Sequence, residues 1–360
     1  MKPIIVIMAG GRGERFWPRS RRNFPKQLLN ILGDKSLLQE AVARIEELTD
    51  YQRIFIVANQ DYRAELQRQL PFIPPQNILT EPLGRNTAPC VGLAAIYISK
   101  LFPDEDPGIV FLPSDSMVFN LAELRRVLKA GVSLCYKNNT GIIFGIRPSR
   151  AETGFGYIKL GKELGEVDGV SYYEVDAFKE KPDRKTAEEY LESKGFLWNG
   201  GVFIWKRSVL EGELEQHQPM LWNELKSLAK YVGASEESQR LQEIYANLES
   251  ISVDYGILER SSNLVVIPTE YGWEDLGSWL ALERFLPSDQ FGNVLRGNHI
   301  GVDTQNCIID SPEKTVTTLG VSDLIIVEAS DVLMVCSKEQ APELKRLLQK
   351  IREAGKEELL

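Results

Sequence analysis

The chain has 360 residues and a net charge of −9, too long for one small core and too acidic for a general nucleic-acid or membrane binder, which needs positive charge to neutralise phosphates. Its four cysteines, Cys90, Cys135, Cys307 and Cys336, form no Cys-x-x-Cys pair, which argues against a zinc ribbon or compact disulfide framework and suits reduced thiols in a cytoplasmic protein. With only two histidines, His217 and His299, a His-rich metal site or a Ser-His-Asp hydrolase is disfavoured, and catalysis is expected to rest on carboxylates and cations.

In chain order, short apolar runs at Ile4 to Met8, Ile54 to Val57, Ile109 to Leu112 and Ile142 to Gly145 read as buried strands. Helical segments lie between them. Ser36-Leu37-Leu38-Gln39 carries the Ser-x-x-Gln capping pattern, after which Leu37, Leu38, Ala41 and Ile45 share a face. Thr87-Ala88-Pro89 opens a helix running towards Leu101. Alternating strands and helices predict an α/β domain with a doubly wound, mostly parallel sheet, Rossmann-like. Further strands are expected at Tyr157 to Leu160, Ala177 to Lys181, Gly201 to Lys206 and Leu264 to Pro268, with helices around Leu191, Leu225 and Leu241. From about Phe291 to Val335 the chain is strand-like, and a charged helix, Ala341 to Lys356, follows. The expected division is a main domain over 1–287 and a β-rich domain ending in a helix over 288–360. The opening apolar run is only six residues long and nowhere do eighteen apolar residues run together, so neither an export signal nor a membrane span is expected.

Directly after the first strand comes GGRGERFWPRSRRNFPKQ, Gly10 to Gln27. Glycines let backbone N–H groups approach an anion closely, and Arg and Lys supply neutralising charge. From Arg12 to Lys26 there are six basic residues (Arg12, Arg15, Arg19, Arg21, Arg22, Lys26) against one acid, Glu14. In an acidic protein this contrast points to phosphate. The stretch is neither a P-loop nor the dinucleotide glycine motif, and glycine content alone would equally suit a mobile, solvated loop. Its place at the carboxyl end of the first strand, where open α/β sheets bind ligands, favours function.

The full string resembles the signature of the nucleoside-diphosphate-sugar pyrophosphorylase family. Seven further strings agree with it: TEPLGRNTAP (Thr80 to Pro89), LPSD (Leu112 to Asp115), TGFGYI (Thr153 to Ile158), FKEKP (Phe178 to Pro182), WNGGVFIW (Trp198 to Trp205), SVDYGILE (Ser252 to Glu259) and GWEDLGSW (Gly272 to Trp279). The Phe-Trp-Pro-Arg-Ser-Arg form is similar to that of members joining GTP to mannose 1-phosphate. The resemblance implies in-line attack of a sugar phosphate on the α-phosphorus of a nucleoside triphosphate with Mg²⁺. A phosphomonoester's second pKa is about 6, so such a nucleophile needs no general base, and positioning and cations carry the catalysis.

By the same resemblance Asp115 and Asp275 hold Mg²⁺, although each alone would read as a cap or turn residue, and Glu274 offers the same chemistry beside Asp275. Backbone from Ala9, Gly10, Gly11, Arg12 and Gly13 faces the nucleotide, Arg15 the departing pyrophosphate and Lys26 the reacting phosphates. Glu180 would accept sugar hydroxyls while Lys181 faces the sugar phosphate, with Asn199 and the Gly156 backbone as further hexose contacts. A solvated strand-end pair is the plainer meaning of Glu180-Lys181. Glu81 is the candidate acceptor for guanine N1–H and N2–H₂, helped by Asn86 and Thr87, its plainer meaning being a solvent-facing turn residue. Trp198, Trp205, Trp273 and Trp279 suit packing better than stacking.

Many relatives carry His where Ser116 stands, which predicts altered pH or metal preference rather than lost activity. Longer relatives append a cupin-type isomerase domain; no His-rich segment is present here, so isomerase activity is not expected. The C-terminal region resembles the family's small β-helix-like domain, usually linked to homodimer contacts. Open alternatives are the same chemistry on GTP with a heptose phosphate or on dTTP or UTP with glucose 1-phosphate, and a non-catalytic GDP-sugar-binding subunit. The last would tolerate loss of Arg15, Lys26, Asp115 and Asp275, all of which are present.

Overall fold

The computed structural model describes residues 2–360. Its strands are β1 (Ile4–Ala9), β2 (Ile54–Asn59), β3 (Ile78–Glu81), β4 (Gly108–Pro113), β5 (Ser116–Val118), β6 (Gly141–Ile146), β7 (Gly156–Val167), β8 (Val170–Glu180), β9 (Phe196–Lys206), β10 (Leu264–Thr269), β11 (Trp273–Asp275), β12 (Val294–Gln305), β13 (Ile308–Ser322), β14 (Leu324–Glu328) and β15 (Leu333–Ser337). The helices are α1 (Leu37–Ile45), α2 (Arg63–Gln69), α3 (Thr87–Leu101), α4 (Leu121–Asn138), α5 (Arg184–Ser193), α6 (Arg207–His217), α7 (Pro219–Leu228), α8 (Glu237–Asn247) and α9 (Leu344–Glu353). The capping box forms as its residues dictate: Gln39 N–H donates to Ser36 Oγ at 3.2 Å and Ser36 N–H to Gln39 Oε1 at 3.0 Å.

The chain forms two compact units, one comprising residues 2–10, 41–114 and 118–273, the other 11–40, 115–117 and 274–360. In the first, nine strands make one sheet in the order β3-β2-β1-β4-β9-β6-β10-β8-β7. The strands β3, β2, β1 and β4 are mutually parallel, as are β6 and β10, and β9 runs antiparallel to both β4 and β6. The α/β fold is therefore present, with a mixed sheet in which β9 and β8 run against their neighbours. Ile4, Val6, Phe55 and Val57 enter the core shared with α3 and α6 to α8, while the alternating Ile5, Ile7, Ile54 and Ile56 are also fully buried, so both faces of the sheet are covered. The register aligns Ala9 with Ala58, Asn59 with Glu81 and Met8 with Pro113, bringing Ala9, Glu81 and Pro113 to the carboxyl edge of the sheet.

The second unit contains a parallel β-helix. Val294 pairs with Ile308 and Ile308 with Ile325, each coil stacking on the next, and β15 closes it antiparallel to β14. This grouping differs from the division at 287/288 expected from the sequence. The basic loop and the Asp115 segment join the C-terminal region because Phe16, Trp17, Leu29 and Ile31 share a core with Trp279, Leu282, Ile308, Val327 and Leu344. The closing helix spans Leu344–Glu353, shorter than the 341–356 stretch expected. No helix among the described residues is long and apolar enough to cross a membrane, and all four cysteines are free thiols.

Candidate active site

Within the second unit the basic loop is fixed by its own aromatics. The Phe16 and Trp279 rings lie 5.1 Å apart, Trp279 Nε1 donates to the Trp17 carbonyl at 3.0 Å, and Ser20 Oγ donates to the Gly13 carbonyl at 2.7 Å. Gly13 has φ of 65°, and Lys26 packs on it with no room for a side chain. Lys26, only 5 % exposed, extends from there and donates to Asp115 Oδ2 at 2.9 Å. Arg12, Gly13, Glu14, Arg15, Lys26, Asp115, Asp275, Gly277 and Lys345 line one cavity of about 510 Å³. Four residues expected from the sequence to handle the phosphates and metal, Arg15, Lys26, Asp115 and Asp275, are thus brought together from three distant stretches, with Arg12 and Gly13, whose backbone was expected to face the nucleotide, beside them. Burial, then the charges of Asp115 and Glu274, raises the Asp275 pKa against the pull of Lys26 and Arg15. Glu274 itself is ion-paired with Arg284 at 2.9 Å.

The arginines without a role in the sequence reading are largely structural. Arg19 faces the fully buried Asp310 at 3.8 Å, alongside Arg296 at 3.1 Å. Arg21 holds Asp331 and the carbonyls of Pro18 and Leu359. The Arg22 N–H donates to the Leu360 carbonyl at 2.8 Å.

In the first unit Glu81 is 4 % exposed, so the solvent-facing alternative does not hold. Tyr245 OH donates to Glu81 Oε1 at 3.1 Å, and Oε2 lies under Gly10, 3.4 Å from where a Cβ there would stand. Burial pushes the Glu81 carboxyl up to about 7, against the Tyr245 hydrogen bond. The expected helix start differs in detail. Asn86, at φ of 68°, caps α3 by accepting from Thr87 N–H at 2.9 Å, which frees Thr87 Oγ1 to accept from Val253 N–H at 2.8 Å.

A second cluster gathers where β7, β8 and β9 meet. Gly156 pairs with Glu180, and a Cβ on it would lie 2.5 Å from Glu180 Oε2 and 3.3 Å from Asn199 Cβ. Glu180, 5 % exposed, accepts from Lys181 Nζ, and Asn199 Nδ2 donates to Asp254 Oδ1 at 2.8 Å. Burial, then the charge of Glu180, pushes Asp254 up to about 6. Gly156, Glu180, Lys181 and Asn199 are therefore neighbours, as the sequence suggested; Asp254 is the member it missed. Its signal was the SVDYGILE string, which folds into a π-turn over Asp254–Leu258, a form often retained at functional positions. Trp198, Trp205 and Trp279 are buried core residues and Trp273 is half-buried. Ser116 is buried at 6 % exposure in β5.

Against known proteins, a family model described as nucleotidyl transferase matches residues 4–290. The chain belongs to the nucleotidyl transferase family. A second model, a mannose-phosphate isomerase/GMP-like β-helix domain, matches residues 297–351 of this nucleotidyl transferase. Its relatives include a mannose-1-phosphate guanylyltransferase of Escherichia coli, 32 % identical over 99 % of this chain and 77 % of that protein. Another, from Klebsiella pneumoniae, is 34 % identical over 99 % and 75 %. A crystal structure from Thermus thermophilus, described as a mannose-1-phosphate geranyltransferase, superposes with a TM-score of 0.84 at 32 % identity, over 98 % of this chain and 100 % of that one.

Nucleotidyl transferases of this family typically use a divalent metal. Among the described residues no group of three Asp, Glu, His or Cys side chains forms a closed metal cage. Asp115 and Asp275 on one cavity nevertheless fit a hard cation that takes one or two carboxylates and completes its shell with substrate phosphates and water. The raised Asp275 pKa, part of it from the Asp115 charge, marks a pair of carboxylates that a cation would relieve.

Proposed function

We propose that this nucleotidyl transferase moves GMP from GTP to α-D-mannose 1-phosphate, giving GDP-mannose and pyrophosphate. The observation that carries the reading is the single cavity lined by Arg12, Arg15, Lys26, Asp115 and Asp275, in a chain aligned over nearly its whole length with mannose-1-phosphate guanylyltransferases.

The sugar phosphate arrives largely ionised near neutral pH, its second pKa being about 6, so the protein's task is to hold anions together in line. In this reading Lys26 meets the reacting phosphates, Arg15 the departing pyrophosphate, and backbone from Ala9, Gly10, Gly11, Arg12 and Gly13 the nucleotide. Glu81 accepts from guanine, with Asn86 and Thr87 on the adjoining turn. Glu180 and Asn199 take hexose hydroxyls, Gly156 allows the sugar close to the backbone, and Lys181 faces the sugar phosphate. Asp115 and Asp275 would hold Mg²⁺, which when bound neutralises charge on the phosphates.

A cytoplasmic location accords with four unpaired cysteines. A homodimer is supported by exposed apolar side chains on the β-helix: Ile300, Val302 and Leu319 are 66 %, 57 % and 75 % exposed, and Val302 lies opposite Leu319.

Pyrophosphate release is measured for each nucleoside triphosphate against mannose, glucose and heptose 1-phosphates, with and without Mg²⁺. The expected result is release with GTP and mannose 1-phosphate only, and only with the metal. Release with the heptose phosphate, or with dTTP or UTP and glucose 1-phosphate, would replace the substrate assignment. No release from any pair would leave a non-catalytic binder.

A further inference from the structure

The helix α9 lies at the C-terminal end of the β-helix unit, and one of its faces carries Lys345, Leu348 and Arg352 at helical spacing. Leu348 is 3 % exposed in the core that holds Phe16 and Trp17, and Arg352 reaches Glu14 Oε1 at 3.6 Å. Two points on this face therefore anchor α9 to the basic loop. The third, Lys345, lines the same cavity as Arg12, Arg15, Lys26, Asp115 and Asp275.

Lys345 also differs from the other lysines of the β-helix region. Lys314 pairs with Glu328, Lys338 with Glu283, Lys350 with Glu353 and Lys356 with Glu358. Lys345 has no ion-pair or hydrogen-bond partner among the described residues. Of the carboxylates around the cavity, Asp115 is paired with Lys26, Glu14 with Arg352, and Asp275 feels the charges of Lys26 and Arg15, so the unpaired Lys345 ammonium on the cavity shared with Arg12 and Arg15 has an anionic ligand as its remaining partner.

We propose that Lys345 is a further phosphate-binding residue, supplied by the C-terminal helix, that holds the part of the triphosphate leaving as pyrophosphate. The assignment rests on the nucleotidyl-transfer reading of the cavity. It gives the β-helix region a direct part in the reaction, since docking of α9 through Leu348 and Arg352 is what brings this cation to the phosphates. A second ammonium beside Arg15 stabilises charge on the departing group without contacting sugar or base.

The test reads the full chain in both directions. Lys345→Met should raise KM for pyrophosphate in the reverse reaction by on the order of ten-fold, the loss of one charge-assisted contact. KM for GTP should rise with it, while KM for mannose 1-phosphate stays unchanged. Lys345→Arg should restore most of the loss, and Lys350→Met, a surface control on the same helix, should behave as wild type. Calorimetric titration of inorganic pyrophosphate provides a readout independent of turnover: affinity should fall in Lys345→Met and Arg15→Met alike. If Lys345→Met leaves pyrophosphate affinity within two-fold of wild type while Arg15→Met weakens it, the Lys345 assignment is overturned and the function stands. If wild type binds pyrophosphate through Lys345 yet turns over no substrate pair, the function fails and the phosphate site stands.

Discussion

Gly13 packs so closely on Lys26 that a Cβ on the glycine would lie 2.2 Å from the Lys26 Cβ and 2.9 Å from its backbone nitrogen. The left-handed turn at φ of 65° and this contact together set where the buried lysine points. Gly13→Ala must strain the turn and push Lys26 away, so a loss of about 1–3 kcal/mol in stability is expected, together with a fall in kcat. Thermal unfolding and steady-state rates on one preparation check both. An alanine variant with wild-type kcat would show that the Lys26 position does not matter.

Glu81 makes the protein's energetics depend on pH. Its folded pKa of about 7 lies above the ordinary 4.5, so the folded state keeps a proton that the unfolded chain has released. Its contribution to stability is complete below 4.5 and is lost as pH rises through about 7. Glu81→Gln removes that loss, so the variant should gain on wild type by on the order of 3 kcal/mol across this window in denaturant titrations. A constant difference would contradict the buried, protonated carboxyl.

The same carboxyl must ionise to accept two guanine N–H groups, so GTP binding near pH about 6 should release a proton. Calorimetry in two buffers of different ionisation enthalpy measures it. Wild type should show a buffer-dependent enthalpy and Glu81→Gln none. Buffer-independent binding in wild type would remove Glu81 from base recognition.

Asp254 holds the amide of Asn199 at 2.8 Å. Asp254→Ala leaves the buried Asn199 Nδ2 without its acceptor, its Oδ1 being held only by Gly201 N–H at 3.2 Å, which should raise KM for mannose 1-phosphate by roughly ten-fold and leave KM for GTP unchanged. Equal changes in both constants would indicate a general loss of structure.

Much of this was legible in the residues because it depended on local pattern. The runs beginning at Ile4, Ile54, Ile109 and Ile142 became strands because each is apolar along its length, and Ser36 and Gln39 formed their capping box because its atoms lie within one turn. The contrast of Arg12, Arg15 and Lys26 with an acidic chain marked residues that line one cavity, and motif resemblance supplied Asp115 and Asp275 on it. Partnerships made only by tertiary packing were not legible. Nothing in the spacing of Asp254 indicates Asn199, Tyr245 lies far along the chain from Glu81, and Lys345 reads as one more surface lysine until Leu348 and Arg352 dock its helix. The grouping of Gly11–Glu40 with the β-helix was hidden for the same reason, since it follows from which apolar side chains Phe16 and Trp17 meet.

The apolar strip of Ile300, Val302 and Leu319 should lie between two copies of the chain. Val302→Asp with Leu319→Asp is expected to shift the mass measured by light scattering from dimer to monomer without altering the unfolding midpoint of the sheet unit. A wild type that is already monomeric would contradict the dimer.

The most direct measurement is ³¹P NMR of GTP and mannose 1-phosphate incubated with Mg²⁺ and either wild type or Asp275→Asn. GDP-mannose and pyrophosphate should appear in equal amounts with wild type, and at least about a hundred-fold more slowly with the variant, since a lost metal carboxylate removes several kcal/mol of transition-state stabilisation. Hydrolysis of GTP without GDP-mannose, or equal rates for the two proteins, would contradict the reading that this cavity carries guanylyl transfer.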